Sequence, residues 1–315
     1  MTHIKPILGL IVLTTLIPEL FTASTPLTTL LNPTVLWGYL IGYGVAILFL
    51  REVATHLRLS YGGIFLFGTV YSFFNEGFLA KTYLILKDTP TAILPVEWLQ
   101  DMGNFFGLNL GFTATSALWH GIGSVLIPIC IIHYLFPKSA TTPWLPKYLT
   151  VFLGALLAFI GINEFFSPEK IQGTIVPFLT IIFSMTFLSL FALKYRRNVE
   201  GFFDAPASKP VLPFLLGLSM GVFYYLVLNI AAQKASPLLF MVVLALGTFG
   251  YVRTIQKQKW NAQTALLFFG IGFYAQTLVI PLIFVPTTVN IVTSLVAYII
   301  LAVSYVGLRR RQRMV

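Results

Sequence analysis

Two apolar runs of membrane-spanning length stand side by side in residues 147–197, KYLTVFLGALLAFIGINEFFSPEKIQGTIVPFLTIIFSMTFLSLFALKYRR. The runs cover 147–166 and 173–194, and a helix needs about 20 residues to cross a bilayer. Cations stand at the two outer ends, and the gap between the runs carries one cation, Lys170. The stretch therefore predicts a helical hairpin whose two outer ends lie on the same side of a membrane.

The same alternation runs through the whole chain. Apolar runs predict about ten spanning helices, at 6–24, 33–52, 61–82, 107–136, 147–166, 173–194, 211–233, 236–255, 262–284 and 288–308. The gap at about 83–106 is long enough for a short interfacial segment outside the membrane. We therefore predict an all-α polytopic transmembrane helix bundle that forms one integral membrane domain over residues 1–315.

The composition also indicates a membrane protein. The chain is 57% hydrophobic and 10% charged, with a mean hydropathy of +0.87. A soluble protein is about 45–50% apolar and about 25% charged, so lipid must solvate much of this surface. The net charge of +10 does not indicate nucleic-acid binding, because the cations lie in short loops where they set topology. Membrane lipids are the expected partners, and nucleic acid is not.

Lys and Arg fall almost entirely in every second gap between the predicted helices, and the exceptions are Lys81, Lys87, Lys170 and Lys234. Cytoplasmic loops carry such an excess of cations. We therefore predict cytoplasmic N- and C-termini and a location in the cell membrane, inner or plasma. Within this topology Arg51 and Glu52 are expected to be an anchor pair at the membrane interface. Most acidic residues lie toward the outside, where they would attract protons, cations or amines or simply keep the external loops polar.

Ionisable and amide side chains within the predicted helices are the candidates for function. Each costs several kcal/mol in hydrocarbon unless it is paired or hydrated. Counting about 1.5 Å per residue along each helix gives a similar level in the outer half of the bilayer for six of these side chains, which are Glu19, Glu76, His120, Glu164, Asn229 and Gln276. The candidate substrate- or proton-binding residues are Glu76, His120, Glu19, Glu164, Asn229, Gln276, Asn75 and Tyr225. Glu76 is the first choice as coupling or binding carboxylate, His120 is its expected partner or proton relay, and Asn229 and Gln276 would orient the substrate.

Two predicted helices carry polar residues at helical spacing. The fourth has Asn109, Thr113, Ser116, His120 and Ser124, and the seventh has Gly221, Tyr225, Asn229 and Gln233. Residues at steps of three and four share one face of a helix. Such a face indicates either a hydrated cavity or a buried polar seam between helices, since Ser, Thr and Asn commonly hydrogen-bond neighbouring helices in membranes.

No nucleotide-binding, serine-hydrolase or zinc-protease motif appears in the chain. One membrane histidine with scattered carboxylates does not define a metal site, so neither metal nor cofactor is expected, and no catalytic residue can be assigned. The favoured function is transport of a small solute, which could be coupled to protons or another cation. Two alternatives stay open: a membrane-embedded enzyme acting on a lipid or lipid-linked substrate from the outer leaflet, and a non-catalytic membrane subunit or sensor.

Short segments in the first half of the chain resemble a group of uncharacterised multi-pass membrane proteins of bacteria and archaea. The segments are PELFTASTP at 18–26, Arg51-Glu52, Tyr71 with Asn75-Glu76-Gly77, Trp119-His120 and Leu135-Phe136-Pro137. The resemblance implies that Glu19, Glu76 and His120 act as a set, and it implies no particular activity. In that group the position of Asn75 is often a second glutamate, and this chain lacks that carboxylate.

Overall fold

The computed structural model describes residues 3–22, 32–85, 103–168, 171–196, 211–227, 236–256, 262–273 and 288–312. Within these ranges the chain forms ten helices. They are α1 Ile4–Thr22, α2 Pro33–His56, α3 61–79, α4 Leu110–Leu135, α5 Lys147–Phe166, α6 Ile175–Ala192, α7 Val211–Leu226, α8 Pro237–Gln256, α9 262–273 and α10 Thr288–Gln312. The predicted all-α helix bundle is confirmed.

Four of the described helices are long and apolar enough to cross a membrane, namely α2, α4, α5 and the segment Ile175–Tyr195, which contains α6. Shorter apolar helices occur within α1, α7, α8, α9 and α10. The outer faces of α5 and α6 carry large exposed apolar side chains, among them Phe159 and Phe183. A surface of this kind is suited to contact with lipid chains rather than water. The cytoplasmic position of both termini stays a prediction.

Polar side chains mark the start of three helices. Asn32, Ser60 and Asn109 are the N-caps of α2, α3 and α4, and each side chain accepts a hydrogen bond from a backbone N–H of the first turn, at 3.0, 3.4 and 3.0 Å. Such bonds satisfy donors that the first turn leaves without a helical partner. Asn109, the first residue of the predicted polar face of α4, is therefore a cap rather than part of the helix.

A short antiparallel hairpin, β1 Asn104–Phe105 and β2 Leu108–Asn109, precedes α4. Gly107 in its turn has a φ of 81°, in the left-handed region that glycine adopts without a steric cost. The apolar pattern predicts 107–109 as part of the fourth helix, because apolar composition does not separate a short strand from a helix start. The remainder of the predicted external segment, 86–102, lies outside the described residues.

The ends of α2 and α3 also differ from the prediction. The second helix continues to His56, four residues beyond the predicted end, so Arg51 and Glu52 lie within it. The third helix stops at residue 79, because Lys81 has a φ of 59°. An L-residue in this left-handed conformation cannot continue an α-helix.

Four of these helices contain a π-helical segment. The segments are Leu40–Val45 in α2, Phe73–Leu79 in α3, His120–Leu126 in α4 and Leu266–Phe273 in α9. In such a segment each backbone N–H bonds to the carbonyl oxygen five residues earlier, in place of four. This widens the helix and turns its side chains relative to a regular α-helix. Such segments are rare and are often found at functional sites, and the first three of them meet in the first half of the bundle.

The helices α3 and α4 cross at the centre of the first half of the bundle, and α1, α2, α5 and α6 pack around them. At this crossing a Cβ placed on Gly68 would lie 2.6 Å from the Cα of Gly121. The two backbones therefore touch, as glycine pairs allow in membrane helices. In the second half α7 packs on α9, and α8, α9 and α10 each contact α4.

Candidate functional site

Glu76 and His120 form the centre of the candidate site, which we call the dyad. The Nε2 of His120 lies 2.8 Å from the Oε1 of Glu76. Glu76 belongs to the π-helical segment of α3, and His120 begins that of α4. The side chains are 14% and 3% exposed. The structure therefore joins the two residues that are predicted as partners from the sequence.

The remaining polar atoms of the dyad also have hydrogen-bond partners. Asn75 donates from Nδ2 to the Oε1 of Glu76 at 3.2 Å, and the hydroxyl of Thr82 donates to Oε2. The Nδ1 of His120 lies 2.9 Å from the hydroxyl of Ser124. A buried carboxylate is tolerated only when such partners replace water. The bonds on both ring nitrogens also fix the orientation of the imidazole.

Two tyrosines enclose the imidazole of His120. The ring of Tyr71, from α3, meets it edge to face at a centroid distance of 5.4 Å, and the ring of Tyr43 lies 6.0 Å away. Tyr43 belongs to the π-helical segment of α2. Three π-helical segments therefore meet at the dyad, and aromatic rings shield its histidine.

A cluster of three hydroxyls lies one helical turn from the dyad. The hydroxyl of Ser72 is 2.7 Å from that of Tyr83 and 3.1 Å from that of Ser116, and Ser116 donates to Tyr83 at 2.8 Å. Ser72 and Ser116 each precede a dyad residue by four positions, so cluster and dyad follow the same line between α3 and α4.

All five residues of the predicted polar face from 109 to 124 are buried, which makes this face a polar seam between two helices.

Glu164 forms a separate ion pair. Its Oε1 lies 3.7 Å from the Nζ of Lys81, and Lys81 also donates to the backbone oxygen of Ser167 at 2.9 Å. Lys81 is buried, whereas the Glu164 side chain is 34% exposed. Among the described residues Glu164 makes no hydrogen bond to the dyad, so the structure brings Asn75, Glu76 and His120 together and places Glu164 beside Lys81.

The side chains of four other predicted site residues are not among the described ones. Asn229 and Gln276 lie outside the described residues, and so do the side chains of Glu19 and Tyr225. Their proposed roles stay predictions. Within the described ranges, no three His, Cys, Asp or Glu side chains lie close enough to share a metal ion.

Thr82 and Tyr83 belong to the site, although no sequence pattern indicates either of them. They follow Glu76 by six and seven residues, beyond the end of α3. The left-handed turn at Lys81 leads the chain into the short 3-10 helix Thr82–Leu84, and this turn returns Thr82 to the carboxylate. A left-handed lysine has no clear sequence pattern, because Gly and Asn are the residues usually found in that conformation.

Arg51 and Glu52 form a second buried ionic group. Their side chains are 1% and 0% exposed and 2.5 Å apart. Arg51 also donates to the backbone oxygen of Ser139 at 2.8 Å, and Glu52 accepts from the backbone N–H groups of Trp144 and Leu145 at 2.9 and 3.0 Å. These bonds hold the loop before α5 against α2, so the pair is a buried link within the bundle. Its position at the membrane interface stays a prediction.

An apolar groove of about 500 Å³ lies between α3, α4, α6 and α8. Its lining includes Phe73, Thr113, Ala117, Phe187 and Phe249, and no Asp, Glu, Lys, Arg or His is found among the described residues that line it. Phe187 and Phe249 are largely exposed, so they form a rim on the outer surface of the bundle. We call this feature the lateral groove.

Comparison with protein families connects this helix bundle to known sequences. Residues 8–311 match a family described as "Uncharacterized membrane protein family". The chain belongs to this family. The match reaches from α1 to α10, and it confirms the resemblance to uncharacterised membrane proteins that the first half of the sequence indicated. Neither the curated proteins nor the solved structures contained a match.

Family membership and the apolar helices together establish a membrane protein. The exposed apolar faces of α5 and α6 are suited to contact with lipid, and the dyad lies within the helix bundle of a membrane protein. A carboxylate and an imidazole in contact can exchange a proton while both stay hydrogen-bonded. The same pair can also bind a cation through the carboxylate.

Proposed function

We propose that this membrane protein transports a small solute and that the Glu76–His120 dyad binds a proton or another cation during transport. The observation that carries the proposal is the 2.8 Å contact between the two side chains inside the bundle. Ionisable groups are costly within a membrane, and by default they indicate an ion or substrate path.

The dyad connects two helices, which suggests how binding would couple to movement. Glu76 accepts hydrogen bonds from His120, Asn75 and Thr82. A proton or cation on this carboxylate would compete with the bond from His120 and so weaken the link between α3 and α4. A ligand shifts a conformational equilibrium only if it binds one state better than the other. The state in which the bond between Glu76 and His120 is broken would bind the proton or cation more tightly than the state in which it is intact.

The solute that best fits the sequence is small and cationic, or an amine. Acidic residues predominate on the predicted outer side, where they would concentrate such solutes. Glu19, Glu164, Tyr225, Asn229 and Gln276 are the predicted contacts for it. In this proposal both termini lie in the cytoplasm of the cell, and these residues lie toward the outer side of the membrane.

Charge-coupled transport can be measured with purified protein in proteoliposomes on a solid-supported membrane. The probes are panels of amines, amino acids and sugars, each applied with and without a pH gradient. We expect one panel to evoke a protein-dependent current. In Glu76→Gln and His120→Gln this current should fall at least about tenfold, because neither amide can exchange the proton.

His56→Gln is the matched control, since His56 is exposed at the end of α2. It should retain the current of the unmodified protein. Equal currents in the Glu76→Gln and unmodified proteins would remove the dyad from the transport mechanism. Absence of a protein-dependent current in every panel would contradict charge-coupled transport of these solutes.

The lateral groove favours a second candidate function, an enzyme that acts on a lipid or lipid-linked substrate. Phe73 and Thr113 line the groove. Phe73 precedes Glu76 by three residues on α3, and Thr113 precedes Ser116 by three residues on α4. A chain in the groove would place its polar end close to the dyad, where Glu76 would act as general base and His120 as general acid. Conversion of an added lipid, followed by mass spectrometry and lost in Glu76→Gln, would favour this function over transport.

A further inference from the structure

We propose that Lys81 is a positioning residue for the dyad. Its ammonium group binds to the end of α5, and this contact holds the turn that brings the hydroxyl of Thr82 to Glu76. Glu164 is the carboxylate that keeps the ammonium group in place. The arrangement can be tested without any transported solute, whereas its effect on transport rests on the proposed function.

The conformation of Lys81 is unfavourable in isolation. Its φ of 59° is left-handed, which costs an L-residue about 1–2 kcal/mol. The side chain is also fully buried, and removing an ammonium group from water costs several kcal/mol. Glycine would adopt the turn without either cost. Strain of this kind persists only where surrounding contacts impose it, and it is typical of functional sites, so the lysine side chain itself is needed here.

The end of α5 supplies the contacts that stabilise the ammonium group. The Nζ of Lys81 donates to the backbone oxygen of Ser167 at 2.9 Å and lies 3.7 Å from the Oε1 of Glu164. Ser167 is the C-cap of α5, and the C-terminal end of a helix carries a partial negative charge that attracts cations. The side chain of Lys81 is therefore fixed by α5, although its backbone follows α3.

The residue after Lys81 reaches the dyad. The hydroxyl of Thr82 donates to the Oε2 of Glu76 and lies 3.2 Å from the backbone oxygen of the same residue. Consecutive Cα atoms are only about 3.8 Å apart, so a displacement of Lys81 displaces Thr82 as well. Release of the ammonium group from α5 would therefore remove a hydrogen bond from the carboxylate of Glu76.

Glu164 is the accessible member of this arrangement, because its side chain is 34% exposed whereas that of Lys81 is buried. A cationic solute bound to Glu164 would compete with the Lys81 ammonium group for the same carboxylate. Binding at Glu164 would then change the hydrogen bonding of Glu76, which is an energetic coupling between two sites. This step rests on the proposed function.

Infrared spectroscopy of the full-length protein in lipid bilayers tests the positioning role. Subtracting the spectrum of Glu76→Gln isolates the carboxyl bands of Glu76, and each further variant is compared with its own Glu76→Gln form. The frequencies of these bands depend on the hydrogen bonds of the carboxyl group, so Thr82→Val should shift them. Lys81→Gly should give the same shift, because glycine keeps the left-handed turn accessible and only the side chain held by α5 is lost.

The double variant Lys81→Gly/Thr82→Val tests whether the two residues act through one hydrogen bond. It should shift the Glu76 bands no further than Thr82→Val alone, because both substitutions remove the same bond. Glu164→Gln leaves the bond from Lys81 to Ser167 in place and should give a smaller shift in the same direction. Lys138→Gly is the matched control, since Lys138 is exposed in the loop after α4, and it should leave the bands unchanged.

A purely structural role of Lys81 would give a different pattern. Glu76 bands that Lys81→Gly or Thr82→Val leaves unchanged would overturn the proposal, and so would shifts that add in the double variant. If Lys81→Gly folds poorly, Glu164→Gln provides the same test, and unchanged bands in that variant would overturn the role of α5.

Currents in proteoliposomes separate this proposal from the proposed function. Lys81→Gly and Thr82→Val should each lower the charge-coupled current about threefold or more, in line with the loss of one hydrogen bond. An unchanged current in Lys81→Gly would overturn the role of Lys81 in transport. Absence of a current in the unmodified protein would contradict the proposed function and leave the infrared result intact.

Discussion

Arg51→Met is expected to lower the free energy of unfolding by about 3–5 kcal/mol, the cost of removing one partner from a buried ion pair. The substitution removes the guanidinium group that lies 2.5 Å from Glu52 and donates to the backbone of Ser139. It also removes the contact of this group with the ring of Trp144, at 3.6 Å from the ring centre. Unfolding by SDS titration in mixed micelles measures the loss.

The partner variant and the double variant separate the ion pair from the other contacts of Arg51. Glu52→Gln alone removes the charge and weakens the acceptor of the backbone N–H groups of Trp144 and Leu145. In Arg51→Met/Glu52→Gln no unpaired charge remains, so part of the loss should be recovered. Arg253→Met, at an exposed position of α8, should cost no more than about 0.5 kcal/mol. A loss in Arg51→Met no larger than in Arg253→Met would contradict the structure of this loop.

Gly68→Ala is expected to destabilise the protein by about 1–3 kcal/mol, the usual cost of overpacking. The new methyl group would lie 2.6 Å from the Cα and 2.8 Å from the backbone oxygen of Gly121. Backbone atoms cannot move aside as a flexible side chain can, so α3 and α4 must separate. Since the dyad and the hydroxyl cluster both bridge these helices, the separation would also lengthen their hydrogen bonds. The same SDS titration measures the loss.

Gly38→Ala, in α2, is the matched control, because a Cβ at Gly38 would meet no atom within 4 Å. Alanine is favoured over glycine in a helix by about 0.5–1 kcal/mol. The same substitution should therefore stabilise the protein at residue 38 and destabilise it at residue 68. Equal effects at the two positions would show that α3 and α4 do not cross in backbone contact.

The helices themselves were predictable because a bilayer leaves a chain few alternatives. Backbone N–H and C=O groups in hydrocarbon must be paired within the chain, which favours continuous helices. Apolar runs of about 20 residues therefore indicate helices directly, as in α5, where the predicted and observed bounds are both 147 and 166. The helix ends were less predictable, because the left-handed Lys81 and the hairpin before α4 have no apolar pattern of their own.

Part of the candidate site was also predictable. The rise per residue gives the height of a side chain along its helix, and this arithmetic placed Glu76 and His120 at one level. It contains no information about which helices are neighbours or which faces they turn to each other. For this reason it could not distinguish the contact between Glu76 and His120 from the separate pairing of Glu164 with Lys81.

From its residues alone, the chain specified a membrane helix bundle and the ionisable groups within it, because hydrophobic length and the cost of buried charge are local properties. Packing settled how those groups are arranged. Close contact at Gly68 and Gly121 sets α3 against α4, and π-helical segments on both helices bring the carboxylate of Glu76 to the imidazole of His120. Contacts between helices depend on the shapes of both surfaces at once, and a single sequence pattern describes only one surface at a time.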